Sequence, residues 1–181
     1  MRPRVLVAGV GNVFLGDDGF GVEVARRLAS EPLPEGVRVE DFGIRGIHLA
    51  YELLEGYDAA ILVDATPRGG PPGSLYVIEP DLEELAARAS LVGAGESPLV
   101  DAHGMEPASV FAVLQALGGR PGRVVVVGCE PADVGERMGL SEPVARAVEK
   151  AVRAVKELVE ALVETPSPGE IAKPPPGRAV R

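Results

Sequence analysis

Short apolar runs alternate with amphipathic helical segments along most of this chain. Apolar, mainly β-branched runs occupy residues 5–8, 59–63 and 124–127, and segments with helical periodicity lie between them. Apolar runs that lack polar alternation are typical of parallel strands covered on both faces. The alternation therefore predicts an α/β fold, a three-layer sandwich whose twisted, mostly parallel sheet is flanked by helices, as in phosphorylase- and hydrolase-like domains.

The predicted elements fill a single domain over residues 1–164. Strands are expected at 5–8, 37–42, 59–63, 75–78 and 124–127, and helices at 19–29, 46–55, 82–91 and 105–117, with a long last helix that begins after Ser141. Asp17 or Asp18 is expected to cap the first helix, and Ser141 the last. Residues 165–181 contain five prolines and no apolar periodicity, so they are expected to form an extended or disordered tail.

Composition excludes several classes of function. With 18 basic and 27 acidic residues, the formal charge is −9, which argues against binding of nucleic acid through its phosphates. Nothing approaches the roughly 18 consecutive apolar residues of a membrane-spanning helix. The single cysteine, Cys129, can form neither an internal disulfide nor a CxxC metal site. It is expected to be a small buried residue, and the chain is expected to be cytoplasmic.

Acidic residues and one histidine follow the predicted strands. Asp18 comes after the first strand, Asp64 ends the third, and His103 precedes the helix predicted at 105–117. Ligands bind beyond the carboxyl ends of parallel strands, and two carboxylates with one imidazole suit nickel, zinc or iron(II). Structural roles stay open at this point, because each aspartate could bind backbone amides and His103 could cap its helix.

A dinucleotide site is the competing interpretation of the first loop. Gly9-Val10-Gly11 follows a strand as in the GxGxxG motif, and Glu40 or Asp41 ends the second strand where a ribose-binding acid belongs. However, Phe14 occupies the third glycine position. The carboxylates at 17 and 18 would also repel a pyrophosphate at the helix start.

Several motifs carry a family resemblance. The segment V-L-V-A-G-V-G-N at 5–12, followed by D-D-G-F-G-V at 17–22, resembles the N-terminal signature of the [NiFe]-hydrogenase maturation endopeptidases. Further matches follow in the family's order: D-F-G-I-R-G at 41–46, V-D-A at 63–65, D-A-H-G-M at 101–105 and V-V-G-C-E-P at 126–131. The resemblance covers about residues 4–163.

The resemblance implies a function and a set of site residues. Members of this family remove a C-terminal extension from the precursor of a hydrogenase large subunit after nickel insertion, and they are classed as aspartic-type endopeptidases. Asp18, Asp64 and His103 correspond to the metal-contacting residues, to which we also assign catalysis. Gly43, Arg45 and Gly46 lie in the substrate-recognition loop, where Arg45 replaces the commoner small residue.

The same resemblance sets the expected cofactors and partners. The metal is nickel, supplied by the precursor, and no organic cofactor is expected. The partner is the large-subunit precursor, with no nucleic acid or membrane involved, and the chain is expected to be a monomer. A nickel-dependent hydrogenase assembly chaperone without enzymatic activity would use the same three ligands, so it is the second alternative beside the dinucleotide-binding enzyme.

Overall fold

In the part of the chain that the structure describes, five strands form one sheet in the order β2-β1-β3-β5-β4. The computed structural model describes residues 2–85, residue 87 and residues 107–165. Of these described strands, β1, β2, β3 and β5 are parallel to one another, and β4 pairs with β5 in the antiparallel sense. The strand bounds are β1 Val5–Val10, β2 Val37–Gly43, β3 Ala59–Ala65, β4 Leu75–Ile78 and β5 Arg123–Cys129.

Helices cover both faces of this sheet. They are α1 Phe20–Leu28, α2 Gly46–Leu54, α3 Pro107–Ala116 and α4 Glu142–Glu164, and a 3-10 turn, Gly16–Gly19, precedes α1. Alternate β1 side chains enter opposite cores: Val5 and Val7 pack with α1 and α4, whereas Leu6 and Ala8 pack with α2 and α3. The three-layer α/β architecture is therefore confirmed.

The structure extends several predicted elements. β3 continues through Asp64 to Ala65 because residues 64 and 65 still pair with Gly128 and Cys129 of β5. Of the helix predicted at 82–91, residues 82–85 and 87 are helical and the others lie outside the described residues. The tail after residue 165 also lies outside them. Among the helices that the structure describes, none has the length and apolarity needed to cross a membrane.

Two glycines let α1 rest directly on the backbone of the sheet. A Cβ atom on Gly21 would lie 2.0 Å from the carbonyl oxygen of Val63 and 2.4 Å from that of Val10. One on Gly9 would lie 2.6 Å from the Cβ of Ala25. Because even a methyl group has no room at either position, glycine sets the distance between α1 and the ends of β1 and β3.

Candidate active site

The loop that follows β1, residues 11–16 (the β1 loop), holds the Asp18 carboxylate. Asp18 lies in the 3-10 turn, half-buried, and its Oδ2 accepts the backbone N–H of Asn12 at 2.8 Å. Asn12 Oδ1 in turn accepts the N–H of Phe14 at 2.9 Å. These two bonds fix the loop around the carboxylate, and a carboxylate can accept further bonds at its second oxygen.

Gly11 makes this loop geometry possible. Its φ of 132° is rarely accessible to other residues, and a Cβ there would lie 1.8 Å from the carbonyl oxygen of Asp18. Its N–H donates to the carbonyl oxygen of Gly43 at 3.0 Å, which ties the β1 loop to the end of β2. Gly11, the second glycine of the G-x-G motif, therefore allows the backbone of Asp18 to pack closely against the β1 loop.

Asp17, the residue before Asp18, is fully buried and binds a different loop. Its Oδ2 accepts the backbone N–H groups of Ala132 and Asp133 at 2.8 and 2.9 Å and the hydroxyl of Ser141 at 2.8 Å. Its Oδ1 accepts the N–H of Ser141 at 2.6 Å. Asp17 therefore fastens the loop at residues 130–141 (the β5 loop) to the 3-10 turn.

The prediction that side chains of Asp17 or Asp18 and of Ser141 cap the first and last helices is wrong. The N-cap position of α1 is Gly19, and neither Asp17 nor Asp18 caps the helix, because their carboxylates bind the β5 loop and Asn12. Ser141 does occupy the N-cap position of α4, but its hydroxyl donates to Asp17 instead of capping. The side chains that the sequence assigns to helix caps thus form hydrogen bonds with polar groups of other segments instead.

These hydrogen bonds decide the charge state of Asp17. Burial alone raises the pKa of a carboxyl group, but the bonds donated by Ser141, Asp133 and Ala132 outweigh it and hold the pKa of Asp17 below its ordinary value of 3.8. Asp17 is therefore an ionised carboxylate with its acceptor capacity directed into the protein. It has a structural role that is distinct from that of Asp18.

Asp64 lies at the same edge of the sheet as Asp18. It is half-buried near the carboxyl end of β3, and the 3-10 turn that carries Asp18 packs against this strand. His103 falls outside the described residues. Within the ranges that the structure does describe, no group of three histidine, cysteine, aspartate or glutamate residues could hold a metal ion. Both predicted carboxylates thus occupy one edge of the sheet.

Glu130, which follows β5, supports a neighbouring loop. Its carboxylate accepts the backbone N–H groups of Arg68 and Gly69 at 2.7 and 3.1 Å and the hydroxyl of Tyr76 at 2.9 Å. The bond from Arg68 contributes most to lowering the pKa of Glu130. These partners make Glu130 the acceptor that organises the connection between β3 and β4.

Cys129 has the buried character that the sequence predicts. Its thiol is inaccessible, and burial, assisted by the charges of Asp17 and Glu130, raises its pKa to about 12. A thiol with such a pKa stays protonated and is a poor nucleophile at neutral pH.

We expect native protein at pH 7.5 to resist alkylation by iodoacetamide at Cys129 and to alkylate fully once unfolded. Intact mass measured against time, with and without guanidinium, checks this expectation. Rapid labelling of the native protein, with loss of activity, would contradict the structural role.

A cleft of about 290 Å³ opens beside the β1 loop. Gly43 and Arg45 line it together with Asn12 and Phe14, whereas Gly46 is buried at the first residue of α2. Arg45 donates from its Nε to the carbonyl oxygen of Phe42 at 3.1 Å and from its Nη2 to that of Asp41. The arginine is thereby folded against the end of β2, and the predicted recognition loop forms one wall of the cleft.

Comparison with known proteins identifies the family. The family model described as HycI, hydrogenase maturation protease, matches residues 22–158. The chain belongs to the hydrogenase maturation protease family. The matched span includes Asp64 and His103 and begins four residues after Asp18. Family membership makes the chain a peptidase.

Relatives of this maturation protease agree in sequence and in fold. The hydrogenase expression/formation protein HupD of Rhodobacter capsulatus is 36% identical over 86% of this chain and 71% of its own length. The hydrogenase 2 maturation peptidase of Thaumarchaeota archaeon SCGC_AB-539-E09 is 35% identical with a TM-score of 0.64, covering 86% of this chain and 97% of its own. The maturating endopeptidase HybD of E. coli is 25% identical with a TM-score of 0.68, over 87% and 93% of the two chains.

The dinucleotide interpretation of this maturation protease is wrong. A pyrophosphate would need free amides in the first loop, but the N–H of Asn12 binds Asp18 and that of Gly11 binds Gly43. Both acids offered for ribose binding form ion pairs within the chain, Glu40 with Arg38 at 2.6 Å and Asp41 with Arg26 at 3.4 Å. The glycines of the motif therefore serve packing.

Proposed function

We propose that this maturation protease removes a C-terminal extension from the precursor of a [NiFe]-hydrogenase large subunit after nickel insertion. In this proposal Asp18, Asp64 and His103 contact the nickel of the precursor and carry the reaction. The observation that supports it most is the half-buried Asp18 carboxylate, which is oriented by the N–H of Asn12 at the strand edge where Asp64 also lies.

The chemistry of the three side chains explains why the metal would be recognised. Two anionic oxygens and one neutral imidazole form an incomplete shell for a divalent ion and leave positions for ligands of the precursor. The loss of one charge-assisted contact costs about 1.5–3 kcal/mol, or roughly 10- to 150-fold in affinity. Loss of all three contacts would make processing close to all-or-none.

The cleft beside the β1 loop gives the peptide a place to bind. Gly43 and Arg45 contact the chain that flanks the scissile bond, with Gly46 supporting their loop from below. The backbone bonds of Arg45 hold this wall in place before substrate arrives. The protein acts as a monomer in the cytoplasm, and its partner is the large-subunit precursor.

The decisive experiment compares two forms of one precursor. Purified enzyme is expected to cleave nickel-loaded large-subunit precursor and to leave the nickel-free form intact, because only the loaded form offers an ion to the three ligands. Intact mass of the precursor after incubation reports the cut. His103→Ala is expected to abolish cleavage with an unchanged circular dichroism spectrum.

Two results would contradict different parts of this proposal. Equal cleavage of loaded and nickel-free precursor would overturn metal recognition but leave the peptidase in place. Binding of the loaded precursor without cleavage would favour a chaperone role for this chain.

A further inference from the structure

Exposed apolar side chains lie in the three loops that follow β1, β2 and β5. Phe14 is 64% exposed, Ile44 57% and Met138 71%. Phe14 belongs to the β1 loop, Ile44 follows β2, and Met138 belongs to the β5 loop. We call these three residues the apolar rim. Single exposed apolar residues are ordinary, but neighbouring ones next to a candidate site mark a binding surface.

Backbone contacts join the loops that carry the rim. Phe14 and Ile44 line the same cleft. The N–H of Arg137 donates to the carbonyl oxygen of Phe14 at 3.0 Å, and Leu15 forms a β-bridge with Arg137. Met138 therefore directly follows the residue that pairs with the β1 loop. The rim extends over three loops at one edge of the sheet.

The loops of the rim are fixed before any partner binds. Asn12 and Gly11 anchor the β1 loop to Asp18 and Gly43, and Asp17 anchors the β5 loop. A preorganised apolar surface binds with less loss of conformational entropy than a mobile one. These exposed side chains thus belong to loops that are held in place by hydrogen bonds, and in protein interfaces a few residues contribute most of the binding energy.

We propose that the apolar rim is the docking surface for an apolar patch on the folded large-subunit precursor, next to its C-terminal extension. This inference rests on the proposed function, because it names the part of the enzyme that meets the body of the substrate. Two rim residues, Phe14 and Ile44, line the cleft in which the proposed function places the precursor chain, so a precursor bound there lies against the rim. A second copy of this chain seated on the rim would instead cover Asp18 and close the site.

Serine substitutions test the rim against matched controls. Phe14→Ser, Ile44→Ser and Met138→Ser are compared with Val77→Ser on β4 and Leu117→Ser after α3, which are 57% and 42% exposed away from the site. We expect each rim variant to raise the KM for nickel-loaded precursor about tenfold, with kcat within about twofold. The controls should leave both constants unchanged, and all five should keep the melting temperature.

Different outcomes separate the rim from the proposed function. If the wild-type enzyme cleaves the loaded precursor and all three rim variants keep its KM, the rim is not the docking surface and the proposed function still stands. If wild-type enzyme leaves the loaded precursor intact, its affinity is measured by biolayer interferometry on the same series. Rim-dependent binding would then support docking alone, and absence of binding would overturn both. A rim-dependent dimer in light scattering, with unchanged KM, would show that a second copy is the occupant.

Discussion

Asp18→Asn is expected to lower processing of the nickel-loaded precursor by about 100-fold, within the roughly 10- to 150-fold range of one charge-assisted contact, while leaving the fold intact. The substitution removes the negative charge that, in the proposed function, faces the metal. The internal bond is kept, because the amide oxygen of asparagine can still accept the N–H of Asn12. Cleavage rates by mass spectrometry, alongside thermal unfolding, check both parts.

Glu136→Gln is the matched control for this loss of charge. Glu136 is an exposed carboxylate in the β5 loop, at the same end of the sheet as Asp18. The substitution therefore removes one negative charge and leaves Asp18 and Asp64 in place. We expect processing by Glu136→Gln to stay within about twofold of wild type, since exposed charges contribute little locally. Comparable losses in both variants would mean that only the general negative potential matters.

Asp17→Asn is expected to lose much of its stability and to keep more of its processing activity than Asp18→Asn. The NH2 group of asparagine would face the donors of Ser141, Ala132 or Asp133, so at least one buried N–H group would lose its acceptor. We expect a cost of about 2–4 kcal/mol. For a domain of this size, that cost corresponds to a fall in melting temperature of about 5–15 °C.

The pH dependence of unfolding gives an independent readout for Asp17. Because its pKa in the folded state lies below 3.8, its stabilisation is present above that value and is lost as the pH falls through the folded-state pKa. The stability of Asp17→Asn should therefore depend less on pH below about pH 4 than that of wild type. Urea unfolding at pH 3, 4 and 7 measures this difference.

Processing by Asp17→Asn, measured well below its melting temperature, should exceed that of Asp18→Asn by at least about tenfold. The Asp17 carboxylate binds the β5 loop, so it acts on the reaction through the position of the 3-10 turn. Complete loss of cleavage in a fully folded Asp17→Asn protein would reverse the roles of the two residues.

The sequence predicts the fold well because its strands are buried on both faces. The valines of β5 and the apolar run in β3 are typical of strands that are covered on both faces, and both strands lie inside the sheet with a neighbour on each side. Helix termini are predicted less well, because a cap is a local rule. The buried amides of the β5 loop compete for Asp17 and Ser141, and that competition involves residues more than 100 positions apart in the chain.

The candidate site is predictable only in part, for a related reason. Position after a strand places Asp18 and Asp64 at one edge of the sheet. However, Glu130 satisfies the same rule and binds the loop between β3 and β4 instead. The signal that could have distinguished it is local: the glycine-rich segment at 67–73 lies outside any predicted strand or helix, so its backbone N–H groups need an acceptor, and a nearby carboxylate can supply one.

The close packing of α1 on the sheet limits how this enzyme can vary. Gly21 meets the carbonyl oxygen of Val63, the residue just before Asp64, and Gly11 meets the backbone of Asp18. The spacing between the two carboxylate-bearing segments is thus set by direct backbone contact, with no side chain between them to be traded for a larger or smaller one. Natural or laboratory divergence toward new precursors can therefore exchange the rim residues freely, whereas the separation of the two acids is inherited almost unaltered.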